Sequence, residues 1–83
     1  MSETEPSAGS ISRDDIASLA VLFDRSELAL DPTSRETKLA EAEFEDKVKL
    51  LYSEKIATVH PGVSLSFFRS KIRSQCRAYL RKN

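Results

Sequence analysis

The chain has 83 residues, of which 40% are hydrophobic and 31% charged, with one cysteine, one histidine and no tryptophan. A chain of this length forms one small domain that buries about 60% of its unfolded surface, and its apolar content is too high for a wholly disordered protein. The formal net charge is zero, yet residues 1–59 hold 7 basic and 13 acidic side chains while residues 60–83 hold 6 basic and none acidic, a split that marks either an internal electrostatic match or a basic surface turned outward.

A lone Cys76 excludes an internal disulfide and suits a reducing compartment, so the expected location is cytoplasmic. The opening MSETEPSAGSIS is acidic and polar, unlike a secretory signal. No apolar run approaches the ~20 residues that span a bilayer. Residues 1–10 are rich in Ser, Glu and Pro and are expected to form a disordered tail.

The first helix is expected at about 13–25. Ser12 caps it with Asp15 three residues on, and Ile11 and Ile16 stand at staple spacing. Ile16, Leu19, Ala20 and Phe23 fall on one face, which Leu22 widens. Asp14 and Asp15 suit the positive end of the helix dipole. In the connection that follows, SELALD, Leu28 and Leu30 are expected to tuck onto the core.

Asp31-Pro32 reads as cap and first helical position of a long helix over about 32–58. Its main stripe is Ala40, Phe44, Val48, Leu51, Tyr52 and Val59. Leu39, Leu50 and Ala57 form a second apolar side, which predicts a central helix flanked by two neighbours. His60-Pro61-Gly62 ends it, with Gly62 suited to a left-handed backbone.

Ser64 caps the last helix, expected at about 65–81, with Val63 and Phe68 at staple spacing. Leu65, Phe68, Ile72, Cys76, Tyr79 and Leu80 make the most regular stripe in the chain. The predicted fold is all-α: a small three-helix domain over residues 11–83 with a long central helix.

Chemistry is concentrated in FFRSKIRSQCRAYLRK, residues 67–82, where Arg69, Arg73, Arg77 and Arg81 recur every fourth position. At ~100° per residue they spiral from the edge of the apolar stripe to its far side, with Lys71 and Lys82 farther round. One reading is a solvated polar face, offset in part by acidic residues of the second helix such as Glu41, Glu45 and Asp46. The other is an anion-binding face, because the guanidinium fork fits carboxylate and phosphate. Phe67 points away from the stripe toward Lys71 and Ser74; it either packs on the His60–Gly62 turn or serves as an exposed aromatic anchor.

Catalysis lacks parts. His60 and Cys76 do not make a zinc site, Cys76 sits on the apolar stripe, and there is neither a glycine-rich phosphate loop nor a nucleophile motif. The expectation is therefore a non-enzymatic domain without a cofactor, binding another macromolecule through its basic C-terminal helix. The candidate contacts are Arg69, Lys71, Arg73, Arg77, Arg81 and Phe67. The partner is expected to be a protein, including a second copy of the chain through the first half of the second helix. Nucleic acid is the alternative and a membrane surface the weakest reading. The stretch IATVHPGVSLSFFRSKI, residues 56–72, resembles a helix-turn-helix motif, which implies DNA binding by the last helix. It departs from that pattern at Thr58, Pro61 and Lys71.

Overall fold

The protein, described here over residues 11–82 from a computed structural model, is all-α. Helix α1 spans Arg13–Ser26, α2 spans Arg35–Leu51 and runs on into a π turn at Tyr52–Ile56, and α3 spans Leu65–Lys82. The tail expected over residues 1–10, and Asn83, lie outside the described residues.

Local chemistry sets the ends. Ser12 Oγ accepts the Asp15 N–H at 3.1 Å, so α1 starts where expected. The Asp15 carboxylate turns to Lys55 Nζ, 3.1 Å away. Ser64 Oγ accepts the Phe67 N–H at 3.1 Å and opens α3. Helix α2 begins later than Asp31-Pro32 implied. Asp31 Oδ1 accepts both the N–H and the hydroxyl of Thr33, and its carbonyl accepts the Ser34 N–H, so Asp31 builds a turn. Ser34 is the cap, accepting from the Thr37 N–H. Thr37, the one buried polar residue among those described, donates its hydroxyl to the Asp31 carbonyl at 2.7 Å, which ties the turn to the helix.

The core is Leu19, Ala20 and Phe23 of α1, Phe44, Val48 and Leu51 of α2, Ile56 of the π turn, and Phe68, Ile72 and Cys76 of α3. The Phe23 and Phe44 rings lie 5.9 Å apart, and those of Tyr52 and Phe68 5.8 Å apart, both tilted. The helix that packs along both others is α1; α2 and α3 meet little beyond the end joined by residues 57–64. This corrects the expectation that α2 would be flanked on two sides. Its second apolar side is open: Leu39 is 58% and Leu50 54% exposed. With α1 in the middle the body is flat, 40 × 27 × 15 Å.

The π turn explains the other departure within α2. The Ala57 N–H reaches the Tyr52 carbonyl at 2.8 Å, an i→i+5 bond. In an α-helix Ile56 would stand roughly 140° from Leu51; the wider turn brings it back onto the core side. Ile56 is buried, and Val59, carried off the stripe, is exposed. Tyr52 donates its hydroxyl to the Val63 carbonyl, pinning the connection to the helix end. Leu28 and Leu30 do not tuck in either; Leu30 is fully exposed.

Gly62 does not adopt the left-handed backbone, and a Cβ there would meet nothing within 4 Å. Gly62→Ala is therefore expected to stabilise the fold by about 0.4–1 kcal/mol, by narrowing the unfolded ensemble; a rise in the urea midpoint checks this, and a fall would show a conformational demand at residue 62.

Asp15 supplies a pH dependence. Burial by itself raises its pKa, but hydrogen bonds with Lys55 and Ser12 and the charges of Lys55 and Lys47 outweigh it, holding the carboxyl below its ordinary 3.8. A depressed pKa contributes stability above the unfolded value, and that contribution is lost as pH falls through the folded one, hence below about pH 4. The pair is partly exposed, so its worth is under about 1 kcal/mol. Asp15→Asn is expected to lower stability at pH 7 and to flatten the loss below pH 4; urea melts at pH 7, 4 and 3 would read both.

Candidate functional site

Helix α3 lies at one edge of the flat body, with its stripe turned to α1 and the rest of its circumference available. The sequence-predicted residues do not form one surface. Arg69, Arg73 and Arg77 line a shallow groove of about 360 Å³ together with Ser66 and Ser70. Phe67 and Lys71 stand on the opposite flank, beside a second groove of about 470 Å³. Arg81, exposed near the C-terminal end, lines neither.

Three of the four rungs of the arginine ladder have contacts outside α3. Arg69 Nε is 3.3 Å from Glu45 Oε1 of α2. That is close enough for an ion pair but misaligned for a hydrogen bond, so this buried N–H has no acceptor. Arg73 donates from Nη2 to Glu27 Oε1 at 2.7 Å, just past the end of α1. The Arg77 guanidinium sits 5.6 Å from the centre of the buried Phe23 ring. The partners of the two ion pairs are about a third exposed, so each adds about 0–1 kcal/mol. Their effect is mainly on position: they hold long side chains along the flank of α3. Of the acidic residues expected to offset the ladder, Glu45 does so; Glu27, in the connection, was missed, because spacing within a helix says nothing of which loop end lies beside it.

The Phe67 flank differs in character. Ile11, Ile56, Val63 and Ile72 give its groove apolar walls, and Lys71, His60 and Gln75 supply its polar groups; no carboxylate lines it. Phe67 is 55% exposed at the rim, with Lys71 Nζ 5.8 Å from the ring centre. The ring thus shares the groove with the His60–Val63 turn while keeping over half its surface in water. Sequence reasoning missed Ile11 and Ile56 as walls, Ile56 because its placement depends on the π turn.

A larger groove, about 760 Å³, opens beside the α1–α2 connection, lined by Arg25, Leu30, Asp31, Glu36, Leu39 and Glu43 among others. Its charges are of both signs. Among the described residues no three His, Cys, Asp or Glu side chains are grouped to hold a metal ion, and no helix is long and apolar enough to cross a membrane. No family model matches the chain, and neither a curated protein nor a solved structure matches it.

Cys76 is fully buried on the core side of α3, and desolvation pushes its thiol up to about 11. The native protein is expected to resist a thiol reagent at pH 8 and to react rapidly in denaturant. Mass-spectrometric alkylation rates give the test; equal rates would mean that α3 detaches readily from the core.

Proposed function

We propose that this protein is a small non-enzymatic helical domain that binds another protein through α3. The partner places an apolar side chain in the groove beside Phe67 and acidic groups against Lys71 and the arginine flank. The observation that carries this reading is Phe67, an aromatic ring more than half exposed at the rim of an apolar groove without a carboxylate. Exposed aromatics beside a pocket are the usual anchors of protein interfaces. A cytoplasmic setting goes with a single buried thiol and no disulfide.

Nucleic acid is the second reading, favoured by the run of Arg69, Arg73 and Arg77 along one helix flank. Three observations weigh against it. Two of those arginines are tethered to Glu45 and Glu27. The basic residues divide between two flanks. Residues 57–64 separate the π turn from α3, longer than the roughly 3–4-residue turn of a helix-turn-helix.

An amide-resolved NMR titration of the full chain separates the readings. The probes are a leucine–glutamate amphipathic peptide, a short DNA duplex and an RNA hairpin, each at 20 and 200 mM salt. The expected result is peptide-induced shifts centred on Val63, Phe67 and Lys71, weakened at least ~10-fold by Phe67→Ala. DNA and RNA should give no salt-resistant shifts. Shifts along Arg69–Arg81 that nucleic acid induces and salt abolishes, with a silent Phe67 groove, would overturn the protein-binding reading.

A further inference from the structure

We propose that the Ser66–Arg77 flank of α3 is a binding site for a phosphate monoester dianion carried on a side chain of the partner protein, a phosphoserine or phosphothreonine. The inference rests on the protein-binding reading and names the chemistry of its second contact.

The groove presents three guanidiniums and two hydroxyls along positions i, i+3, i+4, i+7 and i+11 of one helix, and no carboxylate lines it. A phosphate monoester offers three strong acceptor oxygens and close to two negative charges. Arginine matches such a group with a planar fork, and serine hydroxyls add short donors. Arg69 and Arg77 are eight residues apart, about 12 Å along the axis. Ser70 and Arg73 lie between them and line the same groove.

Anchoring makes this flank more than a set of surface charges. Each arginine is held from a different direction: Arg69 by Glu45 of α2, Arg73 by Glu27 after α1, and Arg77 by the face of Phe23. A guanidinium has five N–H donors, and Arg73 gives one of them to Glu27. The remaining donors stay within a groove whose walls are already ordered, which lowers the entropic cost of taking up a ligand. Three guanidiniums against two carboxylates also keep the cluster net positive.

The same carboxylates choose between phosphate carriers. The groove is lined by the three arginines and two serines, with Glu27 and Glu45 paired to Arg73 and Arg69 at its border, so a compact dianion is repelled by the carboxylates less than a continuous polyanion that has to run past both. The chain as a whole has no net charge with which to draw a polyanion in. A protein-borne monoester fits; a nucleic-acid backbone does not.

The test is an NMR titration of the full chain, reading the Nε–H signals of Arg69, Arg73 and Arg77. The probes are a glycine–serine peptide with one phosphoserine, its unphosphorylated form, sodium sulfate and a ten-nucleotide single-stranded DNA. The expected result is saturable shifts of all three signals with the phosphopeptide. Affinity should be at least ~10-fold above that for the unphosphorylated peptide, the factor set by one charge-assisted hydrogen bond. Arg73→Lys, which keeps the charge and removes the fork, should weaken binding, while Lys49→Ala, an exposed position on α2 outside the grooves, should not. Equal binding of sulfate would reduce the site to generic charge and overturn the proposal, as would tighter binding of the DNA or an unmoved Nε–H spectrum. None of these outcomes touches the Phe67 groove. If the leucine–glutamate peptide still binds there, the protein-binding reading stands and only the phosphate inference falls.

Discussion

The fold depends on one side chain lying between three helices. Phe23 of α1 is buried, its ring 5.9 Å from the Phe44 ring of α2 and 5.6 Å from the Arg77 guanidinium of α3. Around it, Leu19 and Ala20 complete a contact surface that serves both neighbours. A helix used on two sides needs a wide apolar arc, and α1 has one: from Ala20 through Phe23 to Leu22 it covers roughly 160° at ~100° per residue. With α1 filling the middle, α2 and α3 cannot close on each other along their lengths. They meet near the connected end, where Tyr52 packs on Phe68 and donates to the Val63 carbonyl. Flatness, and the two grooves that flank α3, follow from that placement.

Connection geometry at this same end of α2 is a second constraint. A strictly α-helical continuation past Leu51 would turn Ile56 away from α1 and leave the end of the core open. The i→i+5 bond at Tyr52 absorbs one residue, returns Ile56 to the core and points the chain toward α3. The same turn makes Ile56 a wall of the Phe67 groove, so the candidate interface and the helix irregularity share a cause.

Much of the fold was legible because its signals are local. Ser12 and Ser64 cap where a small hydroxylated residue precedes an apolar repeat, and the stripe Phe68, Ile72, Cys76 is buried as its spacing implied. What the chain hid was competition and neighbourhood. Asp31 and Ser34 are both good caps three residues apart; Ser34 prevails because the Asp31 side chain is spent on Thr33 and its carbonyl on Ser34 and Thr37. Leu28 and Leu30 resemble core residues by type, but the turn at Asp31 leaves them outside. For the site, periodicity located the arginines on the helix surface. It did not reveal that Glu45 and Glu27, distant in sequence, reach two of them, or that Phe67 and Lys71 belong to another flank.

Partial neutralisation also changes what the ladder is suited to. Free arginines on a solvated helix form a diffuse positive surface that attracts any polyanion and orders none. Pairing two of them with carboxylates lowers the long-range field, and these pairs together with the Arg77–Phe23 contact bias where the guanidiniums lie. Long-range field governs encounter rate, whereas fixed donors govern discrimination between anions of different shape. Zero net charge and a partly neutralised guanidinium cluster are the physical grounds for proposing a compact anionic group, recognised at close range, over a polymer gathered from a distance. That distinction separates α3 from a basic helix of the same composition standing alone.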